Sequence, residues 1–149
     1  MAHDFEQFPE LTNSQMAEEY FNSPHKQIRE DFTAEVVKVH DGDTVKLRWK
    51  DRDFDFPLRF INIAALELKD DGGKESQGWL ENKILGKVVD IKMNQYNRVD
   101  KWGRLLGNVE MGGIDVGEES ILAGHSVSWD ERNDGALPDF EGELMNIWQ

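Results

Sequence analysis

The chain has 149 residues, enough for one domain with a self-sufficient core, and it has no cysteine, which excludes disulfides and thiolate metal sites. Its net charge of −13 argues at face value against a nucleic-acid partner. No run approaches the ~18 apolar residues of a membrane span. The first twenty residues carry Asp4, Glu6, Glu10, Glu18 and Glu19 and no Lys or Arg, so they are not a signal peptide as written, and localisation stays open.

The charge is unevenly spread. Residues 1–32 hold seven acids and two bases, and residues 126–149 hold six acids and one base. The middle is close to balanced. Within it Lys92, Arg98, Lys101 and Arg104 stand against Asp90 and Asp100, a locally basic segment expected to be able to meet a phosphate backbone.

Taken in order, residues 1–32 read as an acidic N-terminal arm. Thr12 and Gln15 form a capping-box pair. Met16, Ala17, Tyr20 and Phe21 recur at helical spacing and Pro24 ends the run. A helix this short needs a surface to hold it, so the arm is expected to dock on the body or on a protein partner, covering Met16, Tyr20 and Phe21. If it lies near a phosphate-binding site, its acidity should repel the backbone in a salt-dependent way.

From residue 33 the texture is β. Ala34–Trp49 is interrupted by Asp41-Gly42-Asp43, and Val45, Leu47 and Trp49 then alternate with Lys46, Arg48 and Lys50, a half-buried strand with a solvated basic face. A turn near Asp51 and Arg52 leads to a strand over Asp53–Ile63. Lys74–Leu85 reads as a helix closed by Gly86. Strands follow at Val88–Met93 and Leu105–Met111, with Gly112-Gly113 as a turn. Asp115 and Glu118 cap a helix over 116–123 that Gly124 ends. Leu137, Phe140, Leu144, Ile147 and Trp148 form an apolar stripe behind Pro138, a helix over 138–147. The order predicts an α+β fold, a five-stranded barrel of oligonucleotide-binding type with packed helices.

Some of these residues also suit a chemistry. Phosphodiester hydrolysis needs an activated water and positive charge around the phosphorane. Asp43 and Glu67 offer anionic oxygens for a hard cation and its water, and Arg59 and Arg104 offer guanidinium forks for phosphate oxygens. Each has a plainer reading: Asp41 and Asp43 as a simple turn, Arg59 as a structural ion pair with Glu67, Trp102 as core, and His40 as an ordinary strand histidine.

The blocks Val36–Leu47 with Asp41-Gly42-Asp43-Thr44, Leu58–Ile63 leading to Glu67, Gly73-Lys74-Glu75-Ser76, and Asp100-Lys101-Trp102-Gly103-Arg104-Leu105 resemble the staphylococcal nuclease-like (thermonuclease) family. The final Leu144–Trp148 also looks like the end of that family's last helix. The resemblance covers about residues 33–149 and leaves residues 1–32 outside it. It implies a nuclease acting on DNA or RNA with Ca²⁺, or Mg²⁺ or Mn²⁺ in its place. Asp43 and the backbone carbonyl of Ala65 would be metal ligands, with Asp41 a weak contributor. Glu67 would orient or deprotonate the attacking water, and Arg59 and Arg104 would stabilise the transition state. Trp102 and Lys101 are weaker candidates for nucleic-acid contact, as base platform and cation.

One position departs from the family. Ile63-Ala64-Ala65-Leu66-Glu67 stands where the family has Ile-Asp-Ala/Thr-Pro-Glu. Ala64 removes a calcium carboxylate and Leu66 removes a proline that stiffens the loop, so the cation should be held weakly. The alternative is an inactive barrel serving as a structural or docking component of a larger assembly, such as a virion or nucleoprotein complex.

Overall fold

The computed structural model describes residues 3–100 and 102–128. Its centre is a closed barrel of five strands: β1 (Phe32–Asp41), β2 (Thr44–Arg48), β3 (Phe56–Phe60), β5 (Val88–Lys92) and β6 (Leu105–Met111). A short β4 (Ile63–Ala65) follows β3. β1, β2 and β3 form an antiparallel meander, β5 pairs with the far side of β1, and β6 pairs with β5. The barrel closes where β3 meets β6 in parallel, with Leu58, Arg59 and Phe60 opposite Leu105, Leu106 and Gly107. Closure removes the open edges that a five-stranded sheet would otherwise expose.

Alternation along the strands produces the core. Val45 and Leu47 of β2 are buried while Lys46 and Arg48 are exposed, as the period of two requires. Val36, Val39, Leu58, Phe60, Ile91 and Val109 fill the barrel. The expected solvated face holds: Lys46, Arg48 and Lys50 are exposed, with Arg48 paired to Asp55 at 3.2 Å.

Helix α2 (Gly73–Ile84) closes one end of the barrel with Leu80 and Ile84, and α3 (Val116–Leu122) follows a two-residue β7 (Ile114–Asp115). The Asp115 carboxylate accepts the Glu118 amide at 3.0 Å, the cap expected from the sequence. β8 (Ser126–Ser128) pairs with β4 in a separate two-stranded sheet, an element the sequence pattern does not announce. The strand expected over Asp53–Ile63 is shorter, Phe56–Phe60, and β4 begins at its last residue, with the Phe60 and Ile63 carbonyls both bound by Arg59. The expected helix over 138–147 lies outside the described residues, as does Lys101.

The N-terminal helix α1 (Asn13–Glu19) forms with its capping box at Thr12 and Gln15. The helix buries none of its residues, and Phe21 beyond it is 96% exposed, so Met16, Tyr20 and Phe21 are not its anchor. The segment docks through its flanks instead. Glu10, Leu11, Gln27 and Ile28 are buried, and the Leu11 amide donates to Gln27 Oε1 at 2.7 Å.

Docking also corrects the charge reading. Arg98, expected on a basic surface, is 3% exposed. Its Nε donates to the Ile28 carbonyl at 2.8 Å, its Nη1 to the Leu11 carbonyl at 2.9 Å, and its Nη2 meets Glu10 at 3.3 Å. Arg52, expected in a turn, is buried too and pairs with the other Glu10 oxygen. Lys92 faces Asp31 at 3.9 Å. Of this segment's described bases, Arg98 is thus spent on buried partners and Lys92 on an exposed one.

No described helix is long and apolar enough to cross a membrane.

Candidate active site

The site begins in the β1–β2 hairpin. The Asp43 amide donates to Asp41 Oδ1 at 3.1 Å, closing the turn locally. Gly42 is required there for space. A Cβ on it would lie 2.1 Å from Ser76 Oγ and 2.7 Å from the Ala65 Cβ, so only glycine lets α2 and β4 pack against the turn. The Phe60 amide donates to the Asp43 carbonyl at 2.8 Å, tying the turn to β3.

Asp43 is buried and fully engaged. Oδ1 accepts the Thr44 hydroxyl at 3.1 Å, and Oδ2 accepts the Ala65 amide at 2.9 Å. Arg59 Nη2 stands 3.3 Å from the same Oδ2. Burial pushes this carboxyl up, but the Arg59 charge and the hydrogen bonds outweigh it, and the net shift is downward. Arg59 is anchored in turn, its Nη1 donating to the Ile63 carbonyl at 3.0 Å and to the Phe60 carbonyl. These bonds turn the backbone inward after β3. Arg59 thus makes a buried pair with Asp43, a partner the sequence reading did not assign to it.

Asp41 is held in the opposite state. Burial, then the Asp43 charge and hydrogen bond, and finally the Glu67 charge push it from 3.8 up to about 8. The three carboxylates Asp41, Asp43 and Glu67 therefore share one electrostatic neighbourhood. Glu67 itself is half-buried at a tight turn, where its carbonyl accepts the Asp70 amide at 3.0 Å. Gly73 presses on that carbonyl so closely that a Cβ would meet it at 1.8 Å.

A pH dependence follows. The unfolded chain releases the Asp41 proton near 3.8, whereas the folded chain keeps it to about 8. Between those values the folded state binds more protons, so the stability of the metal-free protein should fall as pH rises through that window. Asp41→Asn should flatten the profile in denaturant titrations from pH 4 to 8. An unchanged slope would dismiss Asp41 as its source.

Arg104 is delivered by a loop. Leu106 pairs with Arg59 across the parallel β3–β6 contact, so Arg104 enters β6 two residues ahead of the Arg59 partner. Asp100 organises this loop: Oδ1 accepts the Trp102 and Arg104 amides, each at 2.9 Å, and Oδ2 meets Arg104 Nε at 2.7 Å. The Arg104 guanidinium lies 5.7 Å from the Trp102 ring centroid. His40 is exposed on β1.

The structure thus gathers Asp41, Asp43, Arg59, Ala65 and Glu67 around the hairpin, with Arg104 on an adjoining, separately braced loop. The donor set is all oxygen and suits a hard cation in kind. It falls short in number and closure, since among the described residues no three His, Asp or Glu side chains gather at coordinating distance. Ala64, where a further carboxylate would help, is fully buried and pairs with Val127 of β8. The sequence reading overlooked Thr44 and the organising role of Asp100. Both stand inside the quoted blocks, and their bonds depend on backbone geometry that residue types do not show.

No family model matches the chain. Two proteins named "Uncharacterized endonuclease", one from Escherichia coli and one from Escherichia coli O157:H7, are each 32% identical to it over 115 residues, spanning 76% of this chain and 72% of theirs. Identity of this degree over that span reflects common descent, and the chain belongs to the family of these endonucleases.

Proposed function

We propose that this protein is a nuclease of the staphylococcal nuclease-like type, hydrolysing phosphodiester bonds of DNA or RNA with the help of a weakly held divalent cation. The observation that carries the reading is the buried Asp43–Arg59 pair, with Asp41, Ala65 and Glu67 packed around it, in a relative of endonucleases. Arg59 is buried, fixed by carbonyls through Nη1 and by Asp43 beside Nη2, so its charge is held in one place from which it would act on a phosphate brought to the site. Glu67, half-buried and in the same electrostatic neighbourhood as Asp41, would orient and deprotonate a water. Arg104, on its braced loop, supplies a second guanidinium. Asp43 and the Ala65 carbonyl, with Asp41, would hold Ca²⁺, Mg²⁺ or Mn²⁺, and the ion when bound would supply charge neutralisation and water activation.

Cleavage of DNA and RNA oligonucleotides across a Ca²⁺, Mg²⁺ and Mn²⁺ series tests this directly, with Glu67→Gln as control. Activity lost in the control supports the reading. Absence of cleavage under every ion, with nucleic acid still bound, would favour the structural module.

Ala64→Asp sharpens the metal assignment. The new carboxylate would be buried at a position that is now wholly apolar, so it should destabilise the protein without a cation and be rescued by one. Calorimetry should show divalent affinity rising about tenfold or more, since affinity follows carboxylate count. Equal affinity in both forms would remove Ala64 from the account.

A further inference from the structure

The N-terminal segment touches the Arg104 loop at two points. At the first, the Arg98 side chain is held by the segment through Glu10 and the carbonyls of Leu11 and Ile28. The Arg98 carbonyl accepts the Leu106 amide at 2.8 Å, and Val99 bridges Leu105. That grip leads into the Asp100 bonds that hold Trp102 and Arg104. The second point is Gly103, at φ +81°, where a Cβ would lie 2.6 Å from Phe8 Cδ1. The Phe8 ring therefore lies directly on the loop's tightest turn.

We propose that residues 3–31 are a clamp, acting through Arg98 and Phe8, that positions Arg104 for its phosphate contact. The proposal rests on the nuclease reading for its catalytic consequence. It needs only the contacts above for the clamp itself. Arg98 and Phe8 are positioning residues, since neither is placed against the reacting atoms. A loop fixed at one end by a strand has a free tip, and displacement of a charge by about 1 Å can cost up to ~100-fold in rate. Bracing from both sides prevents that drift.

The test uses the full chain with Phe8→Ala, a mild truncation of a half-buried ring, and Arg98→Lys, which keeps the charge and loses the fork. Backbone hydrogen exchange at Trp102 and Arg104 reads the clamp without any need for activity. Steady-state cleavage of a single-stranded DNA oligonucleotide reads its consequence. Both variants should lose protection at those two amides. Their kcat should fall about ten- to a hundredfold with KM within about twofold, because a misplaced guanidinium costs transition-state more than ground-state stabilisation. In an Arg104→Ala background, Phe8→Ala should have no further effect on kcat.

Wild-type exchange at Trp102 and Arg104 in a folded Phe8→Ala variant would overturn the clamp. An additive loss in the Arg104→Ala background would show that Phe8 does not act through Arg104 and would overturn the positioning role. If the wild-type protein proves inactive, the nuclease reading and the positioning role fail together, while lost protection would still establish the clamp.

Discussion

Arg59→Ala should abolish cleavage and remove about 3–5 kcal/mol of stability, the usual consequence of stripping one partner from a buried ion pair. The two effects have different origins. Asp43, beside Arg59 in the protein interior, would keep its Thr44 and Ala65 bonds and lose the charge that offsets its burial. Its carboxyl would move upward, reversing the present downward shift. In the native protein Asp43 contributes stability that is present above its ordinary pKa and lost on acidification through its lowered one. The Arg59→Ala variant should lose less on acidification, because its Asp43 no longer resists protonation. Adding Asp43→Asn should restore part of the stability, since a neutral amide tolerates burial better, and should restore no activity. Equilibrium unfolding at neutral and acidic pH separates these outcomes. Full stability in Arg59→Ala would mean that the pair is not what holds the hairpin to β3.

Glu10→Gln should be similarly severe, again by about 3–5 kcal/mol, though no catalytic group is touched. Glu10 stands between two buried guanidiniums, Arg52 and Arg98. Arg98 is already pulled below its ordinary pKa by burial, a pull that Glu10 opposes and Arg29 reinforces. Besides Glu10, Arg52 Nη2 donates to the Lys26 carbonyl at 2.8 Å, a neutral acceptor that does not balance its charge. Its Nε and Nη1 make no hydrogen bond among the described residues, and its guanidinium lies over Phe56 at 4.5 Å and Phe54 at 5.0 Å. Cation–π contacts of that kind soften the burial of a cation without replacing a carboxylate. Thermal unfolding of Glu10→Gln should remain one cooperative transition at lower temperature, with N-terminal segment and barrel melting together. Two transitions, the segment leaving first, would show it to be an appendage on an independent barrel.

The contrast between Arg59 and Arg98 shows how far residue order alone reaches. Both are arginines in a chain of strongly acidic composition. Arg59 is readable because Asp41-Gly42-Asp43-Thr44, Glu67 and Arg104 surround it in a recurrent order, and a site built from adjacent strands keeps that order in the sequence. Arg98 carries no such mark. Its carboxylate partner is 88 residues away, and nothing local distinguishes a basic residue bound for solvent from one bound for a buried pair. The same holds for Phe21, whose helical spacing with Met16 and Tyr20 suggests an anchoring face although the flanking Leu11 and Ile28 do the anchoring. Periodicity reports that a helix is amphipathic. It does not report whether a surface awaits the apolar side.

The sequence by itself determined the barrel, because strand alternation, turn glycines and helix caps are local properties encoded within a few residues of where they act. Only the tertiary structure decided which charged residues are buried in pairs and which stay at the surface. Pairing a carboxylate with a guanidinium depends on distance and burial, and barrel closure brings together residues that sequence separation hides, as Glu10 with Arg52 and Arg98, or Leu106 with Arg59. It likewise decided that Asp41 keeps its proton to about 8 while Asp43, two residues on, gives its proton up more readily than usual. Burial raises both, and they diverge because Asp43 has Arg59 and several hydrogen bonds to offset it while Asp41 faces the charges of Asp43 and Glu67.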